Sequence, residues 1–353
     1  MTPRAKVFVF RPVDESGESH RTLADAGCDV VVAEPGQTKR AQLAAAEGAH
    51  VLLGATFRGG RIDRADLEAL PDLRVVAKYT IGTDDVDVEA ATELGILVTH
   101  CPTEANWGGV AEGTLALMLA LLKKVRERDA QVKAGRWRSD DLRGVYVGAR
   151  DDGYPGITIG IVGLGRTGRR VAELLAPWRA QLLANDPYVD VRVFERYGVR
   201  RVGLEDLLSE SDVVTLHCTL THETRGLMNA ERLELMKTHA VLINTARGAV
   251  VDLDALCDAL DGGRLGAAAL DVLPEEPPPG GTRVLSLRDR VLLSPHMVAA
   301  NQGSTFGAAI PWATAAVLAA LRGEVPEHVY NVEAVAKWLQ RFAGRSLLLG
   351  TGR

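Results

Sequence analysis

Two groups of residues in this 353-residue sequence have the types and spacing to do chemistry. The first is Gly163-Leu164-Gly165-Arg166-Thr167-Gly168, which directly follows the apolar run TIGIV and opens a helical stretch to about Leu175. A bare GxGxxG is a weak signal, but between a strand and a helix it is the arrangement that dinucleotide binding requires. Gly163 permits the tight turn, Gly165 lets backbone approach a pyrophosphate, and Gly168 allows close helix–strand packing while the helix N-terminus faces the negative charge. Asp186 ends the next apolar run, 23 residues after Gly163. A carboxylate there hydrogen-bonds both ribose hydroxyls and repels a 2′-phosphate, which favours NAD over NADP. The plainer alternative, that Asp186-Pro187 merely turns the chain, leaves the order strand, glycines, helix, strand, Asp without a reason. No Gly-Lys dipeptide occurs, so a phosphate-binding P-loop is excluded.

The second group is Arg247, Glu276 and His296. Ligands of open α/β sheets bind beyond the carboxyl ends of the strands, and each of these residues follows an apolar run: Ala240 to Asn244, Gly266 to Val272, and Val291 to Leu293. Taken singly each has an ordinary alternative. Arg247 pairs with a surface carboxylate, Glu276 is a solvated member of Glu275-Glu276, and His296 caps a helix. Taken together they complement a nicotinamide, because an Arg fork suits a carboxylate and a His held by a Glu suits proton transfer near neutral pH.

The elements that must position these groups follow from hydrophobic period. Lys6 to Phe10, Cys28 to Val32, His50 to Gly54, Leu73 to Lys78 and Ile96 to Thr99 read as strands, with helices such as Lys39 to Glu47 and Val86 to Leu94 between them. From Ile157 the alternation restarts: Ile157 to Val162, Gln181 to Asn185, Asp212 to His217, Ala240 to Asn244, Gly266 to Val272 and Val291 to Leu293. The fold class is therefore α/β, with two doubly wound parallel sheets. A long helix from about Trp107 to Lys133 connects them. Gln302 to Leu321 reads as an Ala-rich helix interrupted by Pro311, followed by an extended return in GEVPEHVYN that rejoins the first domain. The basic tail Ala336 to Arg353 has no assigned role.

Composition limits the function classes. Lys and Arg total 41 against 46 for Asp and Glu, a formal net charge of −5, which argues against nucleic-acid binding through bulk positive charge. The longest uninterrupted apolar run, Leu115 to Leu122, is eight residues, where about 18 to 20 are needed to span a bilayer. The start, MTPRAKVFVFRPVDE, lacks the apolar core of a secretory signal. Cys28, Cys101, Cys218 and Cys257 are isolated, with no metal-ligand spacing. Reduced thiols in a cytoplasm, with no membrane or nucleic-acid partner and no metal, are the expectation.

Extended blocks carry a family resemblance. TIGIVGLGRTGRRVA, the Asp186-Pro187 step, SDVVTLHCTLTHETRGLMNAERLELMK, LINTARGAVVD, AALDVLPEEP and SPHMVAAN occur in order, and the match covers about Val7 to Val332. The sequence resembles the D-isomer-specific 2-hydroxyacid dehydrogenases, which include phosphoglycerate, glycerate, formate and phosphite dehydrogenases. The resemblance implies a Rossmann NAD-binding domain (104–300) inserted in a flavodoxin-like substrate domain (1–103 and 301–335), with 336–353 as a tail. It implies Arg247 as substrate-binding arginine and His296 as acid/base, contacting both cofactor and substrate, with Glu276 as the glutamate partner of His296. Asp271 and Thr114 are implied to lie near the nicotinamide. Further cofactor contacts are implied at Arg166, Thr167, His217, Cys218, Thr219, Thr224, Thr245, Ala246 and Arg247. The backbone amides of Ile81 and Gly82 are implied to hold a substrate carboxylate. Lys78 stands where many relatives carry Arg or Lys, and either meets a second anionic group or is a solvated strand-end lysine.

What the resemblance implies is reversible hydride transfer between NAD(H) and C2 of a small 2-hydroxy or 2-oxo acid by a homodimer. The competing readings are an NAD(H)-sensing binding protein of the corepressor type and a dehydrogenase of a non-carbon anion such as phosphite. Several positions depart from the family pattern. Gly109 replaces the usual Ser of Asn-x-x-Ser-Val-Ala-Glu, which weakens helix initiation and leaves room that Trp107 partly fills. Thr219 and His222 replace prolines, which loosens the adenine-side loop, and Thr80 replaces a frequent glycine in the substrate loop.

Overall fold

The computed structural model describes residues 4–57, 60–301 and 306–348. The chain divides into two compact units, residues 1–106 with 301–353, and residues 107–300.

In the first unit, β1 (Lys6–Arg11), β2 (Asp29–Val32), β3 (Val51–Gly54), β4 (Val75–Lys78) and β5 (Leu97–Thr99) form a parallel sheet in the order β2-β1-β3-β4-β5. Successive strand residues point to opposite faces, so Val7, Val9, Val51, Leu53, Val75, Ala77 and Leu97 build one core while Phe8, Phe10, Leu52, Val76 and Val98 build the other. The first core is closed by residues from the far end of the sequence: Ala309, Ala313, Val317, Ala320 and Leu321 from the helix Ala309–Arg322, and Trp338 and Phe342 from the helix Val335–Phe342. The return appears as an antiparallel bridge between Thr99 and Val329, with Tyr330 N–H donating to Val98 O and Val98 N–H to Asn331 Oδ1.

The second unit holds β6 (Thr158–Val162), β7 (Gln181–Asn185), β8 (Arg200–Arg201), β9 (Val213–Leu216), β10 (Val241–Asn244), β11 (Ala267–Leu270) and β12 (Val291–Leu293). All pair in parallel, in the order β12-β11-β10-β9-β6-β7-β8. The strand order reverses between β6 and β9, the switch point at which doubly wound sheets open a crevice.

Several expectations are corrected. The segment Trp107 to Lys133 is two helices, Glu104–Leu122 and Val125–Lys133, broken where Lys124 takes a left-handed φ of 52°. Gly109 does not start that first helix; it lies buried inside it. Among the described residues Glu104–Leu122 is also the one helix long and apolar enough to cross a membrane, a length that the uninterrupted run Leu115 to Leu122 understated. Its residues Ala111, Met118 and Leu122 are buried in the core of the second unit. Pro311 does not interrupt its helix. It sits in the first turn, where a missing N–H breaks no intrahelical bond. The expected start of that helix at Gln302 to Thr305 lies outside the described residues, as do 349–353. Part of the segment read as a tail belongs to the core, since Trp338 is fully buried and its Nε1 donates to Arg74 O at 2.9 Å. The two-residue strand β8 was not anticipated, because Arg200-Arg201 carries no apolar pattern.

Candidate active site

Because the seven strands of the second unit run parallel, their carboxyl ends share one rim. Along it stand Asp186 after β7, the glycine turn after β6, His217 to Thr219 after β9, Thr245 to Arg247 after β10, Asp271 and Glu276 after β11, and His296 after β12. Residues scattered over some 130 positions thus become neighbours strand by strand.

The glycine turn has three distinct geometries. Gly163 has a φ of +93°, and a Cβ on it would lie 2.7 Å from the Cys218 nitrogen. A Cβ on Gly168 would lie 2.1 Å from the Gly163 carbonyl oxygen, so the helix Arg166–Leu175 packs on the turn without room for a methyl group. On Gly165 a Cβ would meet nothing within 4 Å. The turn is closed on its protein side and open at Gly165, where the helix N-terminus offers backbone N–H groups to an anion. The residues present therefore fit a dinucleotide pyrophosphate. Asp186 is held beside the turn: Oδ2 accepts from Leu164 N–H at 2.8 Å and Oδ1 from Tyr188 N–H at 3.0 Å.

The remaining cofactor candidates are locally braced. His217 Nε2 lies 2.9 Å from Thr215 Oγ1, and burial pulls its pKa far down, keeping the ring neutral. Burial pushes the Cys218 thiol up to about 11. Thr224 Oγ1 donates to Thr219 O at 2.6 Å and accepts from Thr221 N–H at 2.8 Å, so the loop expected to be loosened by Thr219 and His222 is pinned by its own threonine. Thr114 and Thr245, both buried, share a hydroxyl–hydroxyl hydrogen bond of 2.9 Å that ties the helix Glu104–Leu122 to the end of β10.

In the catalytic group, His296 Nδ1 lies 2.7 Å from Glu276 Oε2, and Glu276 Oε1 accepts from Leu273 N–H at 2.9 Å. A carboxylate on Nδ1 makes that nitrogen the donor and leaves Nε2 as the working atom. The Glu276 bond raises the His296 pKa above its ordinary value, against desolvation. Burial works to raise Glu276, but the hydrogen bonds from His296 and Leu273 prevail and hold it below the usual carboxylate range. Asp271 is 3% exposed and anchors the histidine loop: its backbone O accepts from His296 N–H at 2.7 Å and its carboxylate from the N–H groups of Met297 and Val298. His296 itself takes a left-handed φ of 55°, a local strain of the kind concentrated at functional sites.

Two positioning residues were missed from the sequence. Asn244 is fully buried, donating from Nδ2 to Arg247 O and accepting on Oδ1 from Ala246 N–H, which shapes the turn carrying Arg247. A Cβ on Gly248 would lie 2.0 Å from the Leu273 carbonyl carbon, so only glycine lets the Arg247 turn approach the loop that carries Glu276. The signal for both was their place inside NTARG, at the end of a buried strand.

In the first unit, Ile81 and Gly82 lie on the loop after β4, half-buried. Among the described residues their backbone N–H groups donate to no acceptor. Thr80 Oγ1 donates to Gly82 O at 2.8 Å, bracing the loop from within. Neither expectation for Lys78 holds: its side chain is fully buried and its ammonium is bonded to Asp85 and to Ala55 O.

Comparison with known proteins gives the family. Residues 115–298 match the family model described as D-isomer specific 2-hydroxyacid dehydrogenase, NAD binding domain. The chain is 36% identical to the glyoxylate reductase of Thermofilum pendens over 94% of this chain and 96% of that protein. It is 35% identical to the D-3-phosphoglycerate dehydrogenase of Methanocaldococcus jannaschii over 93% of this chain, but spans 59% of that relative's length. The structure of D-lactate dehydrogenase from Aquifex aeolicus, complexed with NAD and lactic acid, is 25% identical with a TM-score of 0.78, over 97% of this chain and 99% of that one. The chain belongs to the D-isomer specific 2-hydroxyacid dehydrogenase family and carries its NAD binding domain, so its cofactor is NAD.

Proposed function

We propose that this protein interconverts a small 2-oxo acid and its D-2-hydroxy acid. The observation that carries the reading is the His296–Glu276 pair on the same sheet rim as Arg247 and the glycine turn. NAD, when bound, supplies or accepts the hydride. His296, held by Glu276 through Nδ1, gives the proton from Nε2 to the nascent hydroxyl in reduction and takes it back in oxidation. Arg247 pairs with the substrate carboxylate and polarises the oxo group. The N–H groups of Ile81 and Gly82 hold a carboxylate oxygen, and Thr114, Thr245 and Asp271 support the nicotinamide side.

We further propose a homodimer formed through the second unit, supported by exposed apolar side chains concentrated in one stretch of it: Val125, Val132, Trp137 at 70% exposure, Val145 and Tyr146. Four free cysteines support a reducing, cytoplasmic setting.

The test is NADH oxidation by the purified protein against a panel of 2-oxo acids, with and without a phosphate group, repeated with NADPH. Turnover of one subgroup with NADH is the expected result. NADH binding without turnover of any member would overturn the reading and favour a sensor or a non-carbon anion substrate such as phosphite.

A further inference from the structure

A lysine with no exposed side-chain surface ends β4, next to the loop assigned above to carboxylate binding. Burying an ammonium is costly unless every donor finds a partner. Lys78 Nζ meets three: the Asp85 carboxylate, the Ala55 carbonyl, and the face of the Phe10 ring 5.2 Å away. Asp85 Oδ2 also accepts from Phe57 N–H at 2.5 Å, and the Asp85 backbone O accepts from Ile62 N–H at 2.8 Å. The ion pair therefore clips together the loops that follow two adjacent parallel strands, 55–57 after β3 and 79–85 after β4.

From Thr80 to Thr83 the loop's carbonyls are all engaged. The carbonyls of Thr80, Ile81, Gly82 and Thr83 all accept within the unit, from Cys101 N–H, His100 Nδ1, Thr80 Oγ1 and Val86 N–H. The carbonyls of residues 80–83 are thus engaged, while among the described residues the Ile81 and Gly82 N–H groups donate to no acceptor.

We propose that Lys78 and Asp85 are positioning residues, a buried strut that sets the loop so that the Ile81 and Gly82 amides meet the substrate carboxylate; Lys78 does not itself touch the substrate. This rests on the carboxylate role given to those amides above. Removing one charge leaves the other buried and unpaired, and the loop must move to hydrate it. Removing both leaves an uncharged pair in which the amide oxygen introduced by Asp85→Asn still accepts from Phe57 N–H.

The experiment uses the full chain as Lys78→Met, Asp85→Asn and the double variant Lys78→Met/Asp85→Asn. The readouts are kcat and KM for glyoxylate, NADH affinity by fluorescence, and amide hydrogen exchange over residues 79–86. Displacing the amides by about 1 Å raises KM roughly 10- to 100-fold in each single variant, while kcat at saturation and NADH affinity stay within about threefold. Exchange at 79–86 quickens in each single variant, and the double variant recovers most of both losses. A double variant as impaired in KM as Lys78→Met, with wild-type exchange in the loop, would make Lys78 a direct anion contact and overturn the proposal. Should Lys78→Met fail to fold, Asp85→Asn against the double variant decides the same question. If the wild type turns over no 2-oxo acid, the functional reading fails, and the exchange arm alone still decides the strut: quickened in the single variants and restored in the double variant upholds it, unchanged refutes it.

Discussion

The Glu276 carboxylate bridges two partners, His296 Nδ1 at 2.7 Å and Leu273 N–H at 2.9 Å, and so fixes both the ring orientation and the tautomer of the proposed proton carrier. It also raises the histidine's pKa. The acid form therefore persists above the ordinary histidine value of about 6.5.

That shift sets the pH dependence. Reduction of an oxo acid needs protonated His296, so kcat/KM for reduction falls as pH rises through the raised pKa, and oxidation of the hydroxy acid rises through the same midpoint. Glu276→Gln removes the carboxylate and moves both midpoints to lower pH. Paired pH–rate profiles of wild type and variant check this, and superimposable midpoints would separate Glu276 from the titration.

His296→Asn keeps a side chain of similar reach without an ionisable ring. Turnover should fall by about 10² to 10⁴, while NADH affinity, set largely by the glycine turn and Asp186, stays near that of wild type. Stopped-flow turnover with a parallel binding titration measures both, and near-wild-type kcat would remove His296 from the mechanism.

Asp186 presents its carboxylate beside the glycine turn. Asp186→Ala removes the charge that repels a 2′-phosphate, so the ratio of kcat/KM for NADH over NADPH should shrink by about tenfold or more, on the order of 1.4 kcal/mol. An unchanged ratio would show that cofactor choice is made elsewhere.

Gly165 and Gly168 predict opposite outcomes from one chemical change. Gly165→Ala places its methyl group in open space, so the melting temperature should hold within a degree or two while NADH affinity drops. Gly168→Ala forces a methyl group 2.1 Å from the Gly163 carbonyl and should cost about 1–3 kcal/mol of stability, read as a lowered denaturation midpoint. Equal stability losses in the two variants would contradict the assigned geometry.

Much of the fold was legible because both sheets are parallel and buried on both faces. Their strands then read as short Val, Ile, Leu and Ala runs such as VLLG and VLIN, with boundaries displaced by one or two residues. The glycine turn was legible for a related reason: Gly163 is required by its positive φ and Gly168 by a backbone contact, both local, while Gly165 stands open between them. Where local signals failed, a distant contact decided. Trp338 and Phe342 look like a basic tail in sequence, yet they close a core begun at Val7. Lys124 breaks a helix that charge pattern alone would continue.

The sequence by itself determined the parallel α/β class, the dinucleotide turn and the three candidate catalytic residues, since those depend on residue type and on period along the chain. Only the tertiary structure decided what Lys78 does. Whether a strand-end lysine meets solvent, an anion or a buried aspartate depends on which loop folds over it, and Asp85 and Ala55 are brought there by the pairing of β3 with β4. The same holds for Asp271 and Asn244: their carboxylate and amide brace backbone segments whose proximity arises from strand order, a property that spacing in the sequence does not encode.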